Sequence, residues 1–374
     1  MCAKKWTRAA WLAALLMLPR IATAQKPLAD RLVLSIEPRA GFVAPHHDYI
    51  AYFLRHNVAA FRLNVGLQTD GTKDWHIRFR YPVIGLGYYR SNLGNSQHFG
   101  NLHGLYTYFD NHFLTPQHRL NVGHRISFGL SYATKHYHAQ RNPQHFVLST
   151  AINVFFQYDL LLRYQATQNL SFALMTGITH ASNGNLREPN KGFNIITAGL
   201  EARYSLKPLT TLLSNTPPTK SDTTRLALLV GIMGGAKTIA VGNNHLYASI
   251  GISTELQYRI GHASIVGIEV DAYRDNSTRL CYIDRHRTED GFRNGMYYRM
   301  AIYPTYIIHA GRLGISLQPG IYINRTTLDG RFTYKLGLRW QMLRDIYASI
   351  AIKTHYFGNA DFIELGLRYR FRFI

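Results

Sequence analysis

The sequence has no apolar run long enough to form a membrane-spanning helix. A helix needs about 20 consecutive, mostly apolar residues to cross a bilayer, and the longest such stretch, Ala9 to Pro19, falls well short. Its surroundings predict a secretory signal instead. Lys4, Lys5 and Arg8 precede it, and Ala22-Thr23-Ala24 offers a small-residue cleavage site. We therefore expect residues 1–24 to be a signal peptide and the remainder to be secreted.

Cysteine and acidic residues are also scarce. The chain has 2 cysteines, and removal of residues 1–24 leaves only Cys281, so no intramolecular disulfide can form. There are 21 Asp and Glu against 42 Lys and Arg. In a soluble protein this excess would suggest nucleic acid. In a secreted chain it suggests the phosphates of lipopolysaccharide, or a solvated interior, and charge alone leaves both open. We see no spacing of residues typical of a metal site, and we expect no cofactor and no nucleic-acid partner.

Aromatic residues are abundant, and apolar and polar residues alternate along much of the sequence. The chain has 25 Tyr and 19 Phe. From Leu120 to Tyr132 the even positions are mostly apolar and the odd positions are polar or Gly, and the pattern returns from Ile363 to Phe373. A period of two with one apolar face is typical of strands that face lipid outside and a polar lumen inside. The fold class is therefore predicted to be all-β, a transmembrane antiparallel β-barrel in the outer membrane of a Gram-negative bacterium.

Connection lengths suggest the topology. Short turns are expected at Thr69–Thr72, Thr115–Gln117 and Ala166–Asn169, and four longer segments lie between them, at 41–57, 91–103, 134–145 and 181–192. Because outer-membrane barrels have short turns on one side and long loops on the other, residues 25–207 read as an eight-strand module. A Pro, Ser and Thr-rich linker is expected at 208–224, and about eight further strands at 225–374. The 14–16 strands could close as one barrel or as two modules of eight, and we slightly favour one.

One segment, residues 179–194, carries polar groups on a face that should meet lipid. His180 and Ser182 continue the apolar even positions of one strand, and Asn194 begins the outward set of the next. Polar groups facing lipid are costly unless they have a role. Ser and His two residues apart lie about 6.5–7 Å apart along a strand, within side-chain hydrogen-bonding reach. The spacing is therefore compatible with an activated serine, and equally with polar residues that only solvate a barrel rim.

The same segment resembles the signature of the lipid A 3-O-deacylase (PagL) family of outer-membrane barrels. The similarity consists of His-x-Ser-Asn at 180–183 and Pro-Asn-x-Gly at 189–192. By this resemblance, His180 is the base, Ser182 the nucleophile and Asn190 an oxyanion donor; Asn183 is a second candidate donor. The family usually has a carboxylate where this chain has Asn194. Asn can orient a histidine but adds no charge to stabilise its protonated form.

The resemblance implies an esterase that hydrolyses the 3-O-acyl ester of lipid A in lipopolysaccharide, with its site facing the outer leaflet. The alternatives are a non-enzymatic porin and an adhesin or lipopolysaccharide-binding barrel with a degenerate site. Nothing assigns a role to residues 225–374. His355 there mimics His180 by eye, but alternation directs it inward together with Lys353 and Glu364, as members of a charge network in the lumen. His46 and His47 could bind lipid A phosphates or simply be solvated.

Overall fold

The computed structural model describes residues 27–115, 118–213, 218, 222, 224–324, 330–355 and 359–373. The predicted signal peptide lies outside the described residues, as do residues 116–117 of one predicted turn and most of residues 214–223 of the predicted linker.

The chain forms two closed antiparallel barrels of eight strands each. The strands of the first barrel are β1 (Leu32–Val43), β2 (Val58–Gln68), β3 (Val83–Asn92), β4 (Asn101–His112), β5 (Leu120–Ala133), β6 (Ile152–Gln165), β7 (Leu170–Ser182) and β8 (Phe193–Ser205). Those of the second are β9 (Leu226–Lys237), β10 (Tyr247–Arg259), β11 (Ser264–Asp275), β12 (Tyr298–Ala310), β13 (Leu313–Asn324), β14 (Phe332–Gln341), β15 (Ile346–His355) and β16 (Asn359–Arg372).

The slight preference for one large barrel was wrong. β8 returns to β1, with Val33 opposite Ser205, and β16 returns to β9, with Arg372 opposite Ala227. Each barrel is therefore complete without the other. Alternation could not reveal this, because a strand that closes on its own module has the same period as one that continues into a larger sheet.

Short helices lie in the connections: α1 (Asp48–Phe53), α2 (Asp74–Arg78), α3 (Leu209–Leu212) and α4 (Thr278–His286), with 3₁₀ turns at Leu28–Arg31 and Asn294–Tyr297. The predicted tight turn at Thr69–Thr72 is part of a longer connection between β2 and β3 that contains α2. Asp70 accepts hydrogen bonds from the backbone and the hydroxyl of Thr72, which forms a compact turn just before this helix. No helix among the described ranges is long and apolar enough to cross a membrane.

The outward faces of the strands are apolar, as alternation predicts. Leu120 and Leu130 of β5 and Leu174 of β7 are more than half exposed, and aromatic side chains such as Tyr132 and Tyr204 stand near the strand ends. An apolar belt with aromatic residues at its borders is the exterior of a membrane-spanning barrel.

Charged residues fill the lumen of each barrel. In the first, Arg62 and Arg39 donate to Asp159 at 2.8 and 2.6 Å, and Arg163 donates to Glu201 at 2.7 Å. In the second, Lys335 donates to Glu269 and Asp271, and Arg339 to Glu269, while Lys353 and Glu364 also point inward and are buried. These side chains are almost inaccessible to solvent, so each lumen is packed with ion pairs.

Candidate active site

The four connections β1–β2, β3–β4, β5–β6 and β7–β8 lie on one rim of the first barrel, which we call the long-loop rim. The predicted site residues are at this rim. His180 and Ser182 end β7, and Asn194 follows the first residue of β8. Strand register puts Asn194 directly opposite His180, and the two side chains share the outward face with the exposed residues Ile178 and Ile196. All three polar side chains are half-buried.

The three side chains form a continuous hydrogen-bond chain. The Asn194 Oδ1 to His180 Nδ1 distance is 2.7 Å, and the His180 Nε2 to Ser182 Oγ distance is 2.9 Å. Because an amide oxygen can only accept, His180 Nδ1 must carry the proton, and Nε2 is left to accept from the Ser182 hydroxyl. This is the tautomer in which a histidine can take a proton from serine.

His46 extends this chain on the β1–β2 connection. Its Nε2 lies 2.8 Å from the carbonyl oxygen of Lys191, and its Nδ1 lies 3.5 Å from Asn194 Nδ2. Since the carbonyl only accepts, neutral His46 has its proton on Nε2, and Nδ1 accepts from the Asn194 amide. The contact therefore favours the amide orientation in which Oδ1 faces His180. His46 was considered in the sequence only as a phosphate contact, because its place beside Asn194 comes from the pairing of β1 with β8.

The β7–β8 connection, residues 183–192, is the loop that covers this site; we call it the site loop. Asn190 Oδ1 accepts a hydrogen bond from Asn183 N at 3.0 Å. The Asn183 side chain is used differently: its Nδ2 donates to Ser149 Oγ at 2.9 Å and to Arg187 O at 2.8 Å. Asn183 thus ties the site loop to the β5–β6 connection, whereas Asn190 holds the backbone of the site loop itself.

Gly192 lies against the two residues at the centre of the site. Its φ is +73°, a conformation that L side chains rarely adopt, and a Cβ there would lie 3.1 Å from His180 Cε1 and 3.2 Å from Ser182 Cβ. Its amide donates to Val147 O at 2.9 Å. Only a glycine fits this close approach without displacing the histidine.

Beneath the loops, an aromatic cluster supports the rim. His145 is fully buried and contacts Phe99 and Phe193 edge-on, at ring-centroid distances of 5.4 and 6.3 Å. Burial lowers the pKa of His145 to about 4, so it is neutral near pH 7. In the sequence His145 could only be grouped with the loop histidines that would either bind phosphates or be solvated, because a buried loop histidine and a solvated one have the same sequence pattern.

The nearest carboxylates in the sequence, and His355 of the second barrel, lie away from His180. Glu201 is deep in the first lumen, and Glu188 accepts the Asn190 backbone N–H at 3.0 Å, so neither carboxylate contacts His180. His355 is at the mouth of the second barrel, 3.2 Å from Asp361 and not on the outward face. Among the described residues, no group of three or more His, Cys, Asp or Glu side chains is arranged to hold a metal.

Two family models match this chain, and together they cover most of it. Residues 59–203 match the family described as "Lipid A 3-O-deacylase (PagL)", and residues 225–373 match "Acyloxyacyl hydrolase, C-terminal domain". A search of curated proteins finds no match.

Solved structures similar to this chain include Neisserial surface protein A, at 10% identity, a TM-score of 0.31 and coverage of 48% of this chain and 99% of that one. A mutant Rh. blastica porin matches at 9% identity and a TM-score of 0.20, over 91% of this chain and 99% of the porin. The family matches, which span both barrels, show that the chain belongs to the lipid A 3-O-deacylase (PagL) family.

Proposed function

We propose that the protein is a serine esterase that hydrolyses the 3-O-acyl ester of lipid A, with its site at the outer leaflet. One observation carries the proposal: Ser182, His180 and Asn194 are hydrogen-bonded in series on the outward face of the barrel. A lipid ester lying along that face would meet Ser182 without leaving the membrane.

The reaction follows from the hydrogen-bond directions. Ser182 Oγ attacks the ester carbonyl carbon while His180 Nε2 takes the hydroxyl proton. The Asn190 Nδ2 donor stabilises the oxyanion of the tetrahedral intermediate. His180 then protonates the departing sugar oxygen, which leaves an acyl group on Ser182. Water, deprotonated by His180, attacks the acyl carbon and releases the fatty acid and the free serine.

Asn194 orients His180 but brings no charge. In the transition state the imidazole becomes a cation, and a carboxylate partner would stabilise it electrostatically, whereas an amide offers only the hydrogen bond. The hydrogen bonds from the Lys191 carbonyl to His46 and from His46 to Asn194 support the proposal. They fix the orientation of the Asn194 amide, and a symmetric carboxylate at that position would need no such constraint. We infer a hydrolase slower than a carboxylate-containing relative.

The packed lumens of the two barrels favour an esterase over a pore. Ions or solutes would have to displace buried ion pairs such as Arg125 with Asp110 in the first barrel and Arg339 with Glu255 in the second. The outward position of Ser182 also has no use in a channel. A barrel that only binds lipopolysaccharide remains the competing function, and it requires no serine.

Fatty-acid release from lipopolysaccharide by the purified, detergent-solubilised protein tests the proposal. The Ser182→Ala and His180→Ala variants should lose at least about 1,000-fold in kcat, because serine and base act as one unit. Ser171→Ala is the matched control: Ser171 is on the same strand but points inward at the opposite end, and its loss should leave kcat unchanged. Equal release by Ser182→Ala and wild type would exclude this serine as nucleophile, and binding without release in the wild type would favour the binding barrel.

A further inference from the structure

The site loop of the first barrel lies against the long-loop end of the second barrel. We propose that the second barrel holds this loop in its catalytic shape, and that Thr238 is the main positioning residue. The inference rests on the proposed function, and it assigns a role to residues 225–373.

The two barrels are in close contact at Gly184. This residue has φ +63°, and a Cβ there would lie 2.4 Å from Ile363 Cγ1 and 3.4 Å from Ile352 Cδ1. Both isoleucines belong to the outward face of the second barrel, and both are half-buried, whereas Leu365, next on the same face of β16, is 59% exposed. The site loop therefore covers apolar surface that would otherwise face lipid or solvent.

Hydrogen bonds then fix the position of the loop. Thr238, the residue after β9, donates its backbone N–H to Asn185 O at 3.2 Å, and its Oγ1 accepts the Glu188 N–H at 2.8 Å. Asn185 Nδ2 donates to the carbonyl oxygen of Asp361 at 3.2 Å. Asn185 and Glu188 also border a cavity of about 660 Å³ at the mouth of the second barrel. Beside this cavity, these hydrogen bonds hold the loop segment from Asn185 to Glu188, and the apolar contact at Gly184 lies next to them.

The second barrel presents these partners rigidly. Lys237, adjacent to Thr238, is buried and binds the carboxylates of Asp275, at 3.0 Å, and of Asp361. The ends of β9 and β11 and the start of β16 are thereby tied together across the mouth. Thr238 and the Asp361 carbonyl, which contact the site loop, thus move as one unit.

A short series of contacts connects Thr238 with the nucleophile. Thr238 holds the backbone of Glu188, whose Oε2 accepts the Asn190 N–H at 3.0 Å. Asn190 Oδ1 in turn accepts the N–H of Asn183, the residue after Ser182. A loop released from Thr238 would let Asn190 drift away from the position at which the oxyanion develops, and that donor matters only in the transition state.

The test compares Thr238→Val, which removes the acceptor, with Thr238→Ser, which keeps it, in the full-length protein. We expect Thr238→Val to lower kcat for fatty-acid release from lipopolysaccharide by about tenfold with KM nearly unchanged, and Thr238→Ser to restore it. Asn185→Gly, which keeps the positive φ of +70° but removes the bond to Asp361, should lower kcat in the same direction. Heat-dependent gel migration of the folded barrel confirms that each variant is assembled.

Limited trypsin digestion supplies a readout that needs no activity. Arg187 and Lys191 of the site loop are exposed, and a loop released from the second barrel should be cut after them several-fold faster in Thr238→Val than in wild type or Thr238→Ser. If the wild type releases fatty acid and Thr238→Val retains its kcat and its cleavage rate, the inference is overturned. If the wild type releases none, the proposed function fails, and the digestion still decides whether the second barrel holds the loop.

Discussion

Replacing Asn194 with aspartate should make the enzyme faster. The substitution is nearly isosteric, and Oδ1 would stay about where it now accepts from His180 Nδ1, at 2.7 Å. The carboxylate would then face the imidazole at the moment when it becomes a cation. In the present chain that cation has only an amide dipole beside it.

The size of the gain follows from Coulomb's law. Two unit charges about 4 Å apart attract by about 1 kcal/mol in bulk water and about 4 kcal/mol near a protein surface. His180 is half-buried, so the stabilisation of the transition state should lie between these values. The corresponding rise in kcat is about 5-fold to nearly 1,000-fold.

Fatty-acid release under saturating lipopolysaccharide measures this change directly. Asn92→Asp is the matched control, because Asn92 is on the outward set of β3 at the same rim and its Oδ1 accepts backbone N–H groups from Ala59 and Gly94, which aspartate can also do. That variant adds the same charge away from His180 and should leave kcat unchanged. An Asn194→Asp barrel that is folded but no faster than wild type would refute the role assigned to Asn194.

Three further outcomes are expected. His46→Ala should lower kcat by about three- to tenfold, because the Asn194 amide loses a bond that orients it, and His46→Gln should recover part of it. Gly192→Ala should destabilise the loop by about 1 kcal/mol and reduce kcat further by displacing His180, seen as lower activity in barrels that still migrate as folded. Burial lowers the pKa of His145 from 6.5 to about 4. As the pH falls, His145 is therefore protonated at a higher pH in the unfolded loop than in the folded one. Loop stability is therefore full above pH 6.5 and falls by about 1.4 kcal/mol per unit down to pH 4. Hydrogen exchange of residues 134–151 should accelerate over that range in wild type and lose this dependence in His145→Phe.

Much of the fold follows from alternation. The outward sets on β5 and β16 and the position of the long loops on one rim were all predictable, because a strand with lipid on one side and packed charges on the other has no other pattern available. Barrel closure was not predictable, since it depends on whether β8 pairs with β1 or with a later strand. The helix α2 was missed because a turn signal at Thr69–Thr72 hid a longer connection.

The residues of the site also fall into a predictable group and an unpredictable one. His180, Ser182 and Asn194 could be assigned to one face, because they are close in sequence and on adjacent strands. His46 and Thr238 could not, because they reach the site through pairing of distant strands and through contact between the barrels. Periodicity locates a residue on a face of its own strand, but it carries no information about partners that are distant in the sequence, such as His46 for Asn194 or Thr238 for Glu188.

Hydrolysis of lipid A by Ser182 is tested most directly by the mass of lipid A itself. The full-length wild type and Ser182→Ala would each be expressed in the outer membrane of a Gram-negative host with 3-O-acylated lipid A, and the lipid A compared by mass spectrometry. We predict that lipid A loses one ester-linked acyl chain with the wild type and stays intact with the variant. Identical lipid A in the two strains, with both barrels assembled, would contradict it.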